Sequence, residues 1–175
     1  MLNNLHSIII ILQPIATEII ALVAVLGFFS TKWRWTQSNR PIISALVETY
    51  SSGNIATCYN LTIINSGNRP AINIKLTIND YQKFKECTDN KNEEIIEPIV
   101  RCFNRNAIIP LLVNGDKISN WFGTTSVKKE ENTWKYGSSF PISITYGDLE
   151  DRKYKSKLVL YIKNSKAFAD SSWSN

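Results

Sequence analysis

Residues Ile8 to Phe29 are almost entirely apolar, and Glu18 is the single ionisable residue in this run of 22. A helix of that length rises about 33 Å, at about 1.5 Å per residue, and so covers a bilayer hydrocarbon core of about 30 Å. The pattern therefore predicts one transmembrane helix, which we assign to residues 8–30, after a non-cytoplasmic tail of residues 1–7.

Beyond residue 40 the pattern changes to a two-residue repeat. From Ala71 to Asn79 every second residue is Ile or Leu and the residues between them are polar, which is the signature of a strand buried on one face. Six similar segments cover 41–50, 55–64, 108–113, 117–122, 140–146 and 154–162. No amphipathic helix separates them. The fold class predicted for residues 41–163 is therefore mainly β, an antiparallel β-sandwich or barrel of about seven strands.

Turn signals separate these strands. Residues 65–70 (NSGNRP) favour a turn, and Asn114-Gly115-Asp116 is a strong signal for a hairpin between segments 108–113 and 117–122. Residues 147–151 should turn the last hairpin.

Residues 81–106 form a predicted insertion, rich in Lys and Glu around the apolar stretch IIEPIV. Long loops are often functional. The interpretation that we prefer is a solvated excursion with one short helix or edge strand. Residues 164–175 are polar, and we predict a flexible tail there.

Basic residues lie on one side of the apolar run only. None precedes it, whereas the juxtamembrane linker, residues 31–40, contains the predicted interface anchors Lys32, Trp33, Arg34 and Trp35. Cytoplasmic flanks are enriched in Lys and Arg, and Trp favours the headgroup layer. We therefore expect a single-pass protein of the cell inner membrane with its N-terminus outside and its β domain in the cytoplasm. Two alternatives are a cleaved signal peptide, which normally has a basic start and a shorter apolar stretch, and packing of the two tryptophans on the soluble domain.

The formal charge of +5 overstates how basic the soluble part is. From Arg40 onward there are 18 Lys and Arg against 14 Asp and Glu, and the two signs are interleaved. Nucleic-acid binders usually carry a basic stripe without acids, so this class of partner is disfavoured and the lipid bilayer is the expected partner of the basic linker. Three cysteines are too few and too odd in number for a disulfide framework.

The sequence offers little for catalysis. His6 is the only histidine, which removes His-based triads and most His-containing metal sites, and no phosphate-binding glycine motif is present. Asp148, Glu150 and Asp151 can in principle hold a hard cation through oxygen ligands, although a charged, solvated turn is the interpretation that we prefer. We therefore expect a protein that is not an enzyme and needs no cofactor.

Glu18 needs a physical reason, because a carboxylate in mid-membrane costs several kcal/mol unless it is protonated, paired or hydrated. Gln13 and Thr17 are close to it and form a polar face with small residues, which favours helix–helix contact in lipid. The alternative is that the true span begins near Pro14, in a first helical turn, so that Glu18 lies near the outer interface.

The stretch from Tyr59 to Ile78 (YNLTIINSGNRPAINIKLTI) resembles a pattern in immunoglobulin-like β-sandwiches of the bacterial cell-adhesion-related type. There a strand ends in Asn-x-Gly, and the next strand follows after a turn past a small residue. Residues 110–116 are similar to the later Leu-x-x-Gly turn of such domains, and residues 142–154 to their last hairpin. The resemblance covers roughly residues 40–163 and implies a fold, not an activity.

A second resemblance concerns the layout alone. The chain is similar in layout to bacterial anti-phage effectors that join N-terminal membrane helices to a small cytoplasmic β-barrel, which senses a nucleotide signal before the helices damage the membrane.

Two functions are consistent with these patterns. The first is a membrane-anchored, non-enzymatic recognition module whose β domain binds a protein or a small ligand, for example by β-augmentation. The second is a membrane-disrupting effector of abortive-infection type, in which the β domain senses a small-molecule or nucleotide signal. In that case the helices would form a homo-oligomer through Gln13, Thr17 and Glu18.

Overall fold

The computed structural model describes residues 2–89 and 93–165. For residues 2–13, 15 and 93 it describes the backbone only. The chain divides into two compact units, Met1–Arg40 and Pro41–Asn175. Residues 166–175 of the predicted tail, and 90–92 of the predicted insertion, lie outside the described residues.

The first unit is a single helix, α1 (Leu2–Ser38), which continues through most of the predicted juxtamembrane linker. Among the described residues, one stretch of α1, Ala16–Ser38, is long and apolar enough to cross a membrane. The prediction of one apolar N-terminal helix that could span a membrane is therefore confirmed at this level. The predicted start of the span, residue 8, lies in the part of α1 for which only the backbone is described.

The second unit confirms the mainly β prediction with seven strands in two antiparallel sheets. The strands are β1 (Ile43–Ser52), β2 (Ala56–Asn65), β3 (Ala71–Ile78), β4 (Ile109–Leu112), β5 (Lys117–Ser126), β6 (Ser139–Gly147) and β7 (Lys153–Tyr161). One sheet has the order β1-β2-β5 and the other the order β4-β3-β6-β7. Within the described residues the two sheets share no strand, so the domain is a sandwich and not a closed barrel.

The core lies between the two sheets, because every second residue of a strand points to the same face. A single buried cluster joins both sheets, with β1 and β2 contributing from one side and β3 and β6 from the other. Its members include Val47, Tyr59, Leu61, Ile74, Leu76, Ile142 and Ile144. Strand alternation therefore leaves one outer face on each sheet.

The predicted insertion is not a solvated excursion, and that prediction is wrong. It contains two helices, α2 (Tyr81–Cys87) and α3 (Glu93–Arg101). Phe84 of α2 and Ile99 of α3 are buried, and the Phe84 ring packs edge-on against Trp134 with ring centroids 5.7 Å apart. The insertion therefore adds an aromatic layer to the core.

The predicted hairpin at residues 114–116 is also wrong, because β4 pairs with β3 whereas β5 pairs with β2. The turn carries the chain from one sheet to the other. The buried Asn65 side chain stabilises this crossing: it donates hydrogen bonds to the carbonyl oxygens of Arg69 at 2.7 Å and Leu112 at 3.0 Å. Its own oxygen accepts from the Gly67 N–H at 3.0 Å. The last hairpin, between β6 and β7, is confirmed.

Candidate functional site on the three-stranded sheet

The outer face of the three-stranded sheet carries an open polar groove. The register places Glu48 of β1 opposite Asn60 of β2, and Asn60 opposite Trp121 of β5. In the neighbouring row Thr62 lies opposite Ser119. The groove has a volume of about 480 Å³ and is lined by Glu48, Thr49, Tyr50, Asn60, Lys117, Ser119 and Ser165.

A chain of hydrogen bonds crosses the three strands beneath this groove. The buried Thr62 hydroxyl donates to Glu48 Oε2 at 2.6 Å. Because its only hydrogen is used there, the contact of 2.9 Å between Thr62 Oγ1 and Ser119 Oγ must have Ser119 as the donor. Lys117 Nζ lies 3.8 Å from the same Glu48 oxygen. Three strands therefore hold one carboxylate in a fixed position.

Two large aromatic side chains lie on the same outer face as this carboxylate. Tyr50 is 72% exposed and Trp121 is 45% exposed, and both point outward from the same sheet. Exposed aromatic rings with a polar tip are common in contact surfaces, because they supply apolar area and a hydrogen-bonding group at once. The groove thus combines charged, hydroxyl, amide and aromatic groups, which suits a polar ligand.

None of the three cysteines of the domain lines the groove. Cys87 is buried elsewhere in the core. Burial raises the pKa of the Cys102 thiol, and the hydrogen bonds from Asn120 and the backbone only partly oppose that rise. Among the described residues no three His, Cys, Asp or Glu side chains cluster as metal ligands do. The arrangement can recognise a ligand by hydrogen bonds and ring contacts.

The acidic loop between β6 and β7 differs from the solvated turn that the sequence predicted, because Asp148 is fully buried. Its Oδ2 accepts from Arg152 Nε at 2.7 Å and from the Tyr154 hydroxyl at 2.9 Å, and its Oδ1 accepts from the Glu150 and Arg152 N–H groups. Burial acts to raise the pKa of Asp148, but the backbone N–H of Arg152, the Tyr154 hydroxyl and the Arg152 guanidinium together lower it. These contacts fix the Asp148 side chain and stabilise the hairpin between β6 and β7.

The predicted membrane residues belong to the first unit, whereas the groove is built from the second. Thr17 and Glu18 are exposed on α1. For Gln13 only the backbone is described. One alternative placed Pro14 in the first turn of the helix. The helix begins at Leu2, so that placement is wrong. The predicted anchors are all exposed and lie near the C-terminal end of the helix: Lys32, Trp33, Arg34 and Trp35.

The chain belongs to the family described as Domain of unknown function (DUF8453), whose model matches residues 8–166. The match covers most of α1 and all seven strands, so the apolar helix and the β-sandwich are parts of the same family domain. No curated protein has a sequence that matches this chain.

Sequence reasoning missed the groove, although part of its signal is visible. In segment 41–50 Ser44, Glu48 and Tyr50 occupy positions that alternate with the buried ones, although Ile42 and Leu46 do so too. Their partners come from β2 and β5, and only the register of three strands shows that Thr62 and Ser119 meet Glu48.

Proposed function

We propose that this protein is a membrane-anchored, non-enzymatic recognition module. In this proposal α1 spans the cell inner membrane, the basic linker keeps the β domain in the cytoplasm, and the domain binds a small polar ligand in the groove of the three-stranded sheet. The family match supports a joint role for the two units, since it includes the apolar helix together with the sandwich.

The main support for the proposal is that the Glu48 carboxylate is held in a fixed position. The buried Thr62 hydroxyl is used to position Glu48, whose side chain is 32% exposed. Such preorganisation strengthens binding because less freedom is lost when the ligand arrives. Glu48 can accept from hydroxyl or amino groups, and Lys117 can donate to a carbonyl or anionic group of the same ligand. The proposed ligand therefore carries both kinds of group.

The division of the strands agrees with the immunoglobulin-like resemblance. Seven strands divided between sheets of three and four are also the arrangement of immunoglobulin-like domains, in line with the resemblance of the Tyr59–Ile78 stretch. This likeness concerns the fold, and the groove carries the functional argument.

Native mass spectrometry of the full chain in detergent tests the proposal. The chain is incubated with the small-molecule fraction of the producing cells, and an adduct of defined mass is expected. Tyr50→Ala and Asn60→Ala should lose the adduct. Tyr136→Ala should keep it, because Tyr136 is equally an exposed tyrosine but does not line the groove. An adduct that all variants keep, or no adduct in any of them, overturns the proposal.

The position of Glu18 favours a second function, that of a membrane-disrupting effector. If the span is residues 8–30, the Glu18 carboxylate lies near mid-membrane, where it costs about 3 kcal/mol. Self-association of α1 would supply polar partners from a second copy. A homo-oligomer of this kind could form a pore when the β domain binds a small-molecule or nucleotide signal.

Replacing α1 with a foreign membrane helix distinguishes the two functions. The recognition module keeps its ligand adduct with the foreign helix, and the effector loses its ability to permeabilise vesicles. Within the native helix, Glu18→Leu should abolish dye leakage while the chain stays inserted. Undiminished leakage from that variant would exclude the effector.

A further inference from the structure

The outer face of the four-stranded sheet carries four lysines. Lys153, Lys155 and Lys157 alternate along β7, and the register places Lys155 opposite Thr145, which in turn lies opposite Lys75 of β3. Paired residues point to the same side of a sheet, so Lys75 shares the face of the three β7 lysines. We call these four residues the lysine face.

The interleaved charges of this region are separated by the fold. Asp148 is buried and bound to Arg152, and Glu150 pairs with both Arg69 and Arg152. Asp151 stays exposed in the loop. None of the four lysines makes an ion pair with another described residue. Alternation in β7 therefore produces a basic surface from a sequence that looks mixed.

The spacing of this surface suits a layer of separate anionic groups. Successive lysines of β7 are about 6.7 Å apart along the strand, and Lys75 lies two strands away from Lys155, at about 9.6 Å. The exposed Thr145 hydroxyl lies on β6 between Lys155 and Lys75. Ammonium and hydroxyl groups over such an area can bind several phosphate groups side by side.

The same face continues into an apolar and aromatic end. Val159 is 43% exposed and Tyr161 is 55% exposed, two and four residues beyond Lys157 on the outward side of β7. Lys163 Nζ lies 6.0 Å from the centre of the Tyr161 ring. Tyrosine beside basic residues is typical of surfaces that meet the headgroup layer of a membrane.

We propose that the lysine face docks on anionic lipid headgroups of the membrane that holds α1. The proposal rests on the membrane anchor of the proposed function. Only residues 39–42 separate α1 from β1, and four residues extend at most about 14 Å. With the anchor Trp35 in the headgroup layer, Ser38 lies about 4.5 Å beyond it. The connection is therefore short enough for the lysine face to come within about 8–10 Å of the headgroups, the distance over which electrostatic attraction is screened.

Lysine footprinting on the full chain tests this docking. The chain is reconstituted in phosphatidylcholine vesicles with or without phosphatidylglycerol, and a membrane-impermeant amine reagent labels only the outward-facing β domains. Anionic lipid should slow labelling of the lysine face by about fivefold, the change that corresponds to about 1 kcal/mol for a lysine near an anionic surface. High salt should remove this protection, and the exposed Lys83 of α2 should label at the same rate throughout.

A matched pair of variants removes equal charge from two places. Lys155→Gln with Lys157→Gln should abolish the protection of Lys75 and Lys153, whereas Lys128→Gln with Lys129→Gln should leave it intact. Equal labelling in both vesicle types overturns the docking, and so does protection by soluble DNA in phosphatidylcholine vesicles without protection by phosphatidylglycerol. Resistance to carbonate extraction reports insertion separately: an inserted chain without protection refutes the docking alone, and a chain that never inserts refutes the membrane anchor.

Discussion

Gly123 lies so close to Trp134 that a Cβ atom at residue 123 would stand 2.8 Å from the indole Nε1. The backbone φ of Gly123 is +88°, in the region that favours glycine. The indole N–H donates to the carbonyl oxygen of Phe122, and the Trp134 ring stacks on Phe140 with centroids 5.7 Å apart. Because of this close approach, the fully buried Trp134 side chain packs directly against β5.

Gly123→Ala should therefore destabilise the domain strongly. Overpacking against Trp134 and strain at a positive φ together should lower the free energy of unfolding by about 2–4 kcal/mol. Denaturant unfolding of the full chain in detergent, followed by near-ultraviolet circular dichroism, measures the loss. Gly137→Ala is the matched control, because Gly137 has φ +79° but no atom within 4 Å of the added Cβ. Equal losses in the two variants would contradict the role of the Trp134 contact.

The contacts of the buried Asp148 carboxylate predict that the stability of the domain depends on pH. The pKa of Asp148 is lowered in the folded state, so its contribution is complete above the ordinary carboxyl pKa of about 3.9 and is lost as the pH falls through the folded value. Wild-type unfolding midpoints measured downward from pH 5 should fall through this window. Asp148→Asn should be less stable at pH 7 and should have a flatter acid profile. Asp151→Asn, in the same loop but exposed, should keep the wild-type profile.

Local pattern predicted the strands well, because alternation between buried and exposed residues is a property of each strand alone. Sheet pairing is not local, and the turn at 114–116 shows the consequence: Asn-Gly-Asp is a good hairpin signal, yet β4 and β5 belong to different sheets. The polar Asn65 side chain, which holds that crossing, gives no signal of its role in the sequence.

The insertion shows a second limit. Its buried residues, such as Phe84 and Ile99, are spread over two short helices among charged neighbours, and Pro98 lies inside α3. The apolar residues of α3 do recur at helical spacing, at 95, 96, 99 and 100, but the helix has only nine residues. A helical pattern is decisive only over a window of about 11–18 residues. The groove could not be predicted for a related reason, since Glu48, Thr62 and Ser119 come from three strands whose register only the fold defines.

Asn65→Asp should test the crossing between the sheets. A carboxylate has the shape of the amide but cannot donate, so the carbonyl oxygens of Arg69 and Leu112 would lose their donor and face a negative charge. Each lost hydrogen bond at such a buried site costs about 1–3 kcal/mol. We expect a loss of about 3 kcal/mol in unfolding free energy at pH 7. Asn54→Asp, at an exposed position between β1 and β2, should change stability little, and similar losses in both variants would refute the special role of Asn65.

Thr62→Val should separate groove function from fold. Valine fills the volume of threonine but cannot donate to Glu48, which becomes free to rotate at the partly exposed edge of the groove. Because Glu48 and Ser119 can both be rehydrated, the loss of stability should stay near about 1 kcal/mol. Adduct formation in a native mass-spectrometry titration should weaken by about fivefold, as expected for one lost positioning hydrogen bond. Thr77→Val, an exposed threonine on the other sheet, is the control. Unchanged adduct formation in Thr62→Val would mean that the Ser119–Thr62–Glu48 chain does not prepare the groove for a ligand.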